Sequence, residues 1–267
     1  MTSIETKEIT CSNGMPAFLA RPAGSERRPV VVLMHERYGL VQHTRDLAKR
    51  CASDGFAVLA PNFFFRHPDQ PKLNCGDGRY DMSDMEALEN IDAAIKAMSN
   101  EAGADMEKIA VAGYCQTGRH PLVYAAERKI TAAIAWYGAA SKREWAINER
   151  QPKTLDDILA SLDCPVFGAF GASDHIIAIE DVQRMRNCLE ANKKGYDIHV
   201  YADAPHGWLN DTMPGRYRKP QAEQGWADQQ KFLARVLSPD WKTDPVFQAY
   251  DCTFAKSYDF SKNVRLE

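Results

Sequence analysis

Three side chains with the chemistry of a nucleophilic catalyst lie at well-separated points of the chain: Cys115, Asp174 and His206. A thiolate can attack a carbonyl carbon, an imidazole can move the protons, and a carboxylate can hold the imidazole in the correct orientation. Each residue type alone is commonplace, because cysteine is often a buried apolar side chain and histidine or aspartate is often structural. Each of the three follows a predicted strand, however, and together they predict a catalytic triad.

The cysteine lies in a strand-to-turn segment, residues 108–118. An apolar run ends at Gly113, and Cys115 follows at a tight turn, which resembles the Gly-x-Ser-x-Gly nucleophile elbow with cysteine in place of serine. Thr117 stands where that motif has its second glycine, and Gly118 comes next. The unsatisfied N–H groups at the helix start that follows such a turn favour a thiolate over a thiol.

A proline close behind the elbow affects the helix that should follow it. Pro121 lies in what would be the second helical turn, where a proline lacks the N–H group for the intrahelical hydrogen bond. The helix is therefore expected to start late or to bend.

Apolar runs rich in β-branched residues predict the elements that hold these side chains. Strands alternate with helices, so we predict an α/β protein with a mostly parallel, doubly wound sheet flanked by helices. In such a sheet the ligand site lies at the carboxyl ends of the strands. A hairpin is expected within residues 5–28, strands at 29–34, 56–61, 108–115, 130–136, 164–171 and 197–201, a loop at 67–80, and helices at 42–54, 82–99, 179–194 and 221–237.

The length of the chain fits one sizeable core. It has 267 residues, of which 45% are hydrophobic and 26% are charged. We assign residues 1–237 to one domain. Residues 238–267 form a C-terminal extension that we expect to pack on the domain or on a partner.

The net charge and the distribution of cysteines indicate the kind of partner and the redox environment. The formal net charge is −3 with no long basic run, so neither nucleic acid nor a membrane is expected as a partner. The seven cysteines are scattered, with no C-x-x-C pair and no metal-ligand spacing, which favours a reduced, cytoplasmic setting without a metal or other cofactor. The N terminus lacks the apolar run of a signal peptide. We expect a monomer or homodimer that acts on a small substrate.

Four short motifs carry a family resemblance. They are His35-Glu36-x-x-Gly39 at a strand end, the Gly-Tyr-Cys elbow, Gly171-Ala-x-Asp174, and Pro205-His206-Gly. At these residues the sequence resembles the dienelactone hydrolase (carboxymethylenebutenolidase) family of the α/β-hydrolase superfamily, over about residues 8–237. The resemblance implies the α/β-hydrolase fold.

The resemblance also implies a reaction and a role for each motif. The reaction is cysteine-dependent hydrolysis of a small anionic lactone or ester, as in the catabolism of aromatic rings, through an acyl-thioester. Cys115 would attack the carbonyl, His206 would activate water, and Asp174 would orient the imidazole. Glu36 would hold or receive the thiol proton.

The remaining site residues are assigned from the same resemblance and from their positions near strand ends. The backbone N–H groups of Arg37 and Gln116 would form the oxyanion hole. Arg66 would bind the substrate carboxylate, since arginine presents a planar fork of donors. The further substrate-binding candidates are His35, Tyr114, Trp208 and Arg119.

Two other functions are compatible with these residues. A thiolate could add reversibly to a conjugated, muconate-type acid and so catalyse cis–trans isomerisation, a reaction that needs no attacking water. The altered elbow at Thr117 and Pro121 keeps this alternative open, because isomerisation tolerates a less well-formed oxyanion hole. The third possibility is a non-enzymic member that binds a ligand, and the complete set of Cys115, Asp174 and His206 argues against it.

Overall fold

A nine-stranded sheet runs through the centre of the protein in a computed structural model that describes residues 3–242 and 247–253. The strands are β1 (Ile4–Thr10), β2 (Pro16–Pro22), β3 (Arg28–Leu33), β4 (Ala57–Pro61), β5 (Ala104–Tyr114), β6 (Ala132–Trp136), β7 (Val166–Gly171), β8 (Tyr196–Tyr201) and β9 (Gln248–Cys252). They are arranged in the order β1-β2-β4-β3-β5-β6-β7-β8-β9. The first hairpin is antiparallel, β2 joins β4 antiparallel, and all other pairs are parallel.

Seven α-helices cover the two faces of the sheet in the described part of the chain. They are α1 (Gln42–Ser53), α2 (Gln70–Cys75), α3 (Asp84–Ser99), α4 (His120–Glu127), α5 (Leu155–Ala160), α6 (Ile179–Ala191) and α7 (Lys219–Val236). Helices α1 and α7 bury their apolar sides against one face, and α3 to α6 against the other. Because both faces are covered, the central strands are apolar at nearly every position, as in the fully buried strand β4. The predicted α/β fold with a mostly parallel sheet is confirmed.

The structure departs from the sequence-based expectations in one loop and adds detail in the C-terminal extension. Residues 67–80 were expected to be a loop, but they contain the short helix α2, which Asp69 caps by accepting a hydrogen bond from the Lys72 N–H group at 3.0 Å. In the C-terminal extension, β9 lies parallel to β8 at the edge of the sheet. Residues 243–246 and 254–267 of the extension lie outside the described residues.

The residues predicted to act together all follow a strand at the same edge of the sheet. Glu36 comes after β3, Cys115 directly after β5, Asp174 after β7 and His206 after β8. Parallel strands bring their carboxyl ends together, which explains how residues far apart in sequence form one site. None of the helices in the described ranges is long and apolar enough to cross a membrane.

Candidate active site

Cys115 occupies a strained turn between β5 and α4. Its φ of +55° lies in the left-handed region, which residues other than glycine seldom adopt. Such strain is typical of functional residues that the surrounding structure holds in place. A three-residue 3-10 turn, Cys115–Thr117, intervenes before α4 begins at His120. The cysteine therefore does not lie at the N terminus of an α-helix, contrary to expectation.

Two glycines allow this turn to pack against the end of β6. A Cβ atom on Gly138 would lie 2.4 Å from the carbonyl oxygen of Cys115, and one on Gly118 would lie 2.7 Å from the Cα of Gly138. Gly118 thus provides the close approach that the second glycine of the elbow motif provides. Pro121 is the second residue of α4, where its missing N–H is not needed, so the helix starts late rather than bending.

Cys115, His206 and Asp174 form one hydrogen-bonded line. The Sγ of Cys115 lies 3.1 Å from Nε2 of His206, and Nδ1 of His206 lies 2.9 Å from Oδ2 of Asp174. The other oxygen of Asp174 accepts hydrogen bonds from the N–H groups of Ile176 and Ile177 at 2.7 and 3.1 Å. The backbone therefore holds the Asp174 carboxylate in a fixed orientation beside the imidazole.

These contacts determine the protonation of His206. Burial alone would lower its pKa, but hydrogen bonds to Asp174 and Cys115, together with the negative charges of both, raise the pKa of His206 to about 10. The imidazolium form then persists at neutral pH beside the sulfur, and a neighbouring imidazolium stabilises a thiolate. The arrangement places a positively charged hydrogen-bond donor next to the sulfur of Cys115.

The backbone N–H groups of Arg37 and Gln116 are the candidate oxyanion donors. Neither of them makes a backbone hydrogen bond within residues 3–242 and 247–253, so both are free to bind a ligand oxygen. The fully buried hydroxyl of Thr117 connects the two segments that carry them. It accepts the N–H of Tyr114 at 3.0 Å and donates to the carbonyl oxygen of His35 at 2.8 Å.

We expect Thr117→Val to lower kcat by about ten- to a hundredfold with little change in KM. The substitution keeps the shape of the side chain but removes the bridging hydroxyl, and oxyanion donors stabilise the transition state more than the bound substrate. Thr117→Ser, which keeps the hydroxyl, should restore most of kcat. Steady-state kinetics of the two variants test this, and a raised KM at unchanged kcat would contradict it.

Glu36 is held by neutral donors rather than by the thiol. The hydroxyl of Tyr137 donates to its Oε1 at 2.9 Å, and the side-chain amide of Asn210 donates to its Oε2 at 2.6 Å. No hydrogen bond joins Glu36 to Cys115 within the described chain, so the expected contact with the thiol is not formed. Sequence reasoning did not single out Tyr137, although its position directly after β6 matches that of the other strand-end residues.

A cavity of about 350 Å³ opens over the sulfur of Cys115. Three arginines, Arg37, Arg79 and Arg143, contribute to its wall. The other lining residues are Gln116, Tyr137, Gly138, Ala139, Ser141, Glu144, Ile176, Ile177 and His206. Arg79 lies in an irregular segment and Arg143 in a short 3-10 turn, Lys142–Trp145, and their approach to the cavity was not predicted.

Three of the residues assigned to substrate binding lie beneath the cavity. His35, Tyr114 and Trp208 are at most 1% exposed, and none of them lines it. His35 packs edge-on against Phe64, with ring centroids 4.6 Å apart, and the other two pack against Trp136. Their rings fill the core that supports the site, so the geometry does not support the predicted contact with substrate.

Arg66 also lies away from the cavity. Its Nη1 donates to Glu86 Oε1 at 2.7 Å and to Asn90 Oδ1 at 3.3 Å, and its guanidinium stacks on the ring of Phe65. The residue is not part of the cavity wall. The geometry therefore does not support Arg66 as the carboxylate-binding arginine, since acidic and polar groups of α3 pair with it.

Arg119 is a buried structural cation. It is 1% exposed, and its Nε and Nη2 each donate to a carboxylate oxygen of Asp84 at 2.9 Å. Its Nη1 donates to Glu144 Oε2 at 3.2 Å. This network joins α3 to the segment that lines the cavity, so direct substrate binding by Arg119 is not what the geometry supports.

Two buried histidines are expected to make the folded protein less stable in acid. Burial lowers the pKa of His35 to about 4, and burial together with nearby arginine charges lowers that of His120 to about 3. Below pH 6.5 the unfolded chain binds protons that the folded chain does not, so stability falls as the pH drops towards these values. Between pH 7 and pH 5 we expect a loss of about 2 kcal/mol for each histidine.

Urea unfolding at the two pH values measures this difference. His35→Gln should reduce the difference by about 2 kcal/mol, whatever it does to stability at pH 7. His67→Gln, at a half-exposed site, is the control and should leave the difference as it is. Equal differences in all three proteins would contradict the prediction.

Known proteins resemble the chain over most of its length. The sequence model described as the Dienelactone hydrolase family matches residues 15–237. A protein of Salmonella typhimurium named "Putative carboxymethylenebutenolidase" is 33% identical over 229 residues, which are 83% of each chain. A Bradyrhizobium protein named "Probable 2-oxo-3-(5-oxofuran-2-ylidene)propanoate lactonase" is 24% identical over 215 residues, 79% of this chain and 85% of that protein.

Solved structures of known proteins also resemble the chain over most of its length. One from Klebsiella pneumoniae, titled a "Putative Dienelactone Hydrolase", has a TM-score of 0.77 at 30% identity and covers 87% of this chain and 99% of its own. A dienelactone hydrolase-like promiscuous phosphotriesterase from metagenomic libraries has a TM-score of 0.72 at 20% identity, which shows a common fold, over 88% of this chain and 100% of its own. The family model covers far more than half of the sequence, and the chain belongs to the dienelactone hydrolase family, hydrolases that act on lactone or ester bonds.

Proposed function

We propose that the protein is a cysteine-dependent hydrolase that opens a small anionic lactone or ester through an acyl-thioester on Cys115. One observation carries this proposal. Asp174, His206 and Cys115 are joined at 2.9 and 3.1 Å at the base of a cavity of about 350 Å³. This is the arrangement of an orienting acid, a proton carrier and a nucleophile.

Acylation begins with attack of the Cys115 thiolate on the carbonyl carbon. The carbonyl oxygen gains negative charge, which the N–H groups of Arg37 and Gln116 stabilise. As the tetrahedral intermediate collapses, the imidazolium of His206 donates its Nε2 proton to the leaving oxygen. The products of this half-reaction are the thioester and an alcohol, which in a lactone remains tethered to the acyl group.

Deacylation uses the same histidine as a base. The sulfur of a thioester carries no negative charge, so one of the contributions that raise the pKa of His206 is lost when the acyl group forms. The neutral imidazole then takes a proton from water, which attacks the thioester carbonyl. The C–S bond of the resulting tetrahedral intermediate breaks, which releases the acid and leaves Cys115 as a thiolate beside the imidazolium. Asp174 keeps the imidazole oriented and stabilises its positive charge in both half-reactions.

The charges around the cavity favour an anionic substrate. Arg37, Arg79 and Arg143 line it, whereas its one acidic lining residue, Glu144, is already paired with Arg119 and Arg143. A substrate carboxylate would balance the excess positive charge, and arginine binds carboxylates through paired N–H donors. These arginines take the role first assigned to Arg66.

Hydrolysis in water enriched with heavy oxygen tests the reaction type. A panel of lactones, esters and conjugated dienoates is incubated with the enzyme, with Cys115→Ala as control, and the product masses are measured. Hydrolysis must place one solvent oxygen in the product carboxylate. An unlabelled product with the mass of the substrate would instead identify the isomerase, and the absence of any turnover across the panel would favour a binding protein.

A further inference from the structure

One loop contacts the side chains of both candidate oxyanion residues. We call residues 76–80, which follow α2, the strap. The Nη2 of Arg37 donates to two carbonyl oxygens of the strap, at 2.7 and 3.3 Å. The side-chain amide of Gln116 donates to a third, that of Tyr80, at 2.6 Å. The strap therefore joins the segment after β3 to the turn after β5.

The strap is itself bonded to its surroundings at both ends. The N–H of Gly78 donates to the carbonyl oxygen of Lys72 in α2 at 2.8 Å. The hydroxyl of Tyr80 donates to Glu86 Oε1 of α3 at 2.7 Å, and its ring packs against Phe64 with centroids 5.2 Å apart. A side chain that bonds to the strap is thus held against α2 and α3.

The two peptides that carry the candidate N–H groups are held in the same way. The carbonyl oxygen of Cys115 accepts an N–H group of its own turn at 3.1 Å, and the carbonyl oxygen of Glu36 lies 2.6 Å from Nδ1 of His35. These bonds restrain the carbonyl end of each peptide. The bonds from the Gln116 and Arg37 side chains to the strap add a second restraint, on the residue that carries the N–H.

The direction of these N–H groups decides how well they stabilise an oxyanion. Hydrogen bonds weaken steeply once the angle at the donor falls below about 120°. Cys115, which precedes one of the two N–H groups, has a strained φ of +55°, and strained backbone persists only where its surroundings hold it. The turn after β5 therefore needs contacts beyond its own 3-10 hydrogen bonding to keep this direction.

We propose that the side chains of Gln116 and Arg37 are positioning residues for the oxyanion hole. Each bonds to the strap and so aims its own backbone N–H at the carbonyl oxygen of the substrate. The inference rests on the proposed hydrolase function and adds a role for the side chains of residues whose backbone alone was assigned to the hole. The strap is then part of the catalytic framework rather than a passive surface loop.

The test compares two reactions of Cys115 in the same protein sample. Acylation by p-nitrophenyl acetate develops an oxyanion and is followed as the burst of p-nitrophenolate. This ester is neutral, so its reaction does not depend on the charge of the cavity arginines. Alkylation by iodoacetamide needs the thiolate but no oxyanion hole. The ratio of the two rate constants therefore reports on the hole, whatever happens to the thiol.

Gln116→Met and Arg37→Met should each lower this ratio about tenfold, less than the roughly hundredfold or greater cost of losing a donor outright. The loss should lie in the rate constant of acylation rather than in the apparent Kd of the ester. Arg37→Lys, which can still donate to the strap, should restore most of the ratio. Gln248→Met and Arg21→Met are the matched controls and should keep it, because they remove side chains that also donate to backbone carbonyls but lie outside the cavity.

The outcomes separate this inference from the proposed function. A ratio that stays within about twofold of the unaltered protein in either Gln116→Met or Arg37→Met overturns the inference, even if both rates fall together, because a parallel fall marks a general loss of structure. Acylation of the unaltered protein would then still support the hydrolase. If iodoacetamide labels Cys115 but the ester releases no p-nitrophenolate from it, the hydrolase fails and the oxyanion hole fails with it.

Discussion

Replacing Cys115 with alanine is expected to lower kcat/KM for ester or lactone hydrolysis by about 10⁴-fold or more. In the proposed mechanism the thioester forms on this sulfur, and among the lining residues of the cavity Cys115 is the one whose side chain is paired with His206. Cys75→Ala is the matched control, because Cys75 is exposed and free but lies outside the cavity. Steady-state kinetics measure both variants. Activity of Cys115→Ala within tenfold of the unaltered protein would contradict the thioester mechanism.

Alkylation by limiting iodoacetamide measures the reactivity of the Cys115 thiol independently of turnover. Burial raises the pKa of Cys11 to about 11 and that of Cys164 to about 12, and it also raises the pKa of Cys51 and Cys188, so these thiols remain protonated at neutral pH. Of the other three cysteines, Cys115 is the one whose sulfur lies beside an imidazole, so it should be alkylated before Cys75 and Cys252, and substrate should protect it. His206→Gln should slow that reaction by removing the imidazolium. First labelling at another cysteine would contradict the assignment of Cys115 as the activated thiol.

Arg119→Met is expected to cost about 3–5 kcal/mol of unfolding free energy. The substitution leaves the carboxylates of Asp84 and Glu144 buried, at 4% and 1% exposure, without the cation that joins them. One partner would have to become protonated or move towards solvent, which would separate α3 from the segment beside the cavity. Arg143 bonds one oxygen of Glu144 from the surface and replaces Arg119 only in part.

Chemical denaturation of matched variants tests this role. Arg128→Met removes an exposed ion pair with Asp92 and should cost less than about 1 kcal/mol. Adding Asp84→Asn and Glu144→Gln to Arg119→Met should recover part of the loss, because it removes the uncompensated charges. If Arg119→Met instead raised KM and left stability unchanged, the original assignment of Arg119 to substrate binding would be correct.

Much of the fold and the position of the candidate nucleophile could be predicted because their signals are local. The β-branched run of β3 and the apolar run before Cys115 identify buried parallel strands, since both faces of such strands are covered. The glycine-flanked turn identifies the elbow, and the strand-end positions of Asp174 and His206 follow from the same alternation. The order of Cys115, Asp174 and His206 along the chain can be read from the sequence without knowing the distances between their side chains.

The tertiary structure alone decided which charged and polar groups meet. Arg66 pairs with Glu86, whereas Arg79 and Arg143 reach the cavity, because irregular segments take their course from packing rather than from periodicity. Glu36 meets donors 101 and 174 positions away in Tyr137 and Asn210, a pairing that no local pattern encodes. The sequence by itself therefore determined the scaffold and the position of the candidate nucleophile, and long-range packing determined the charges around them.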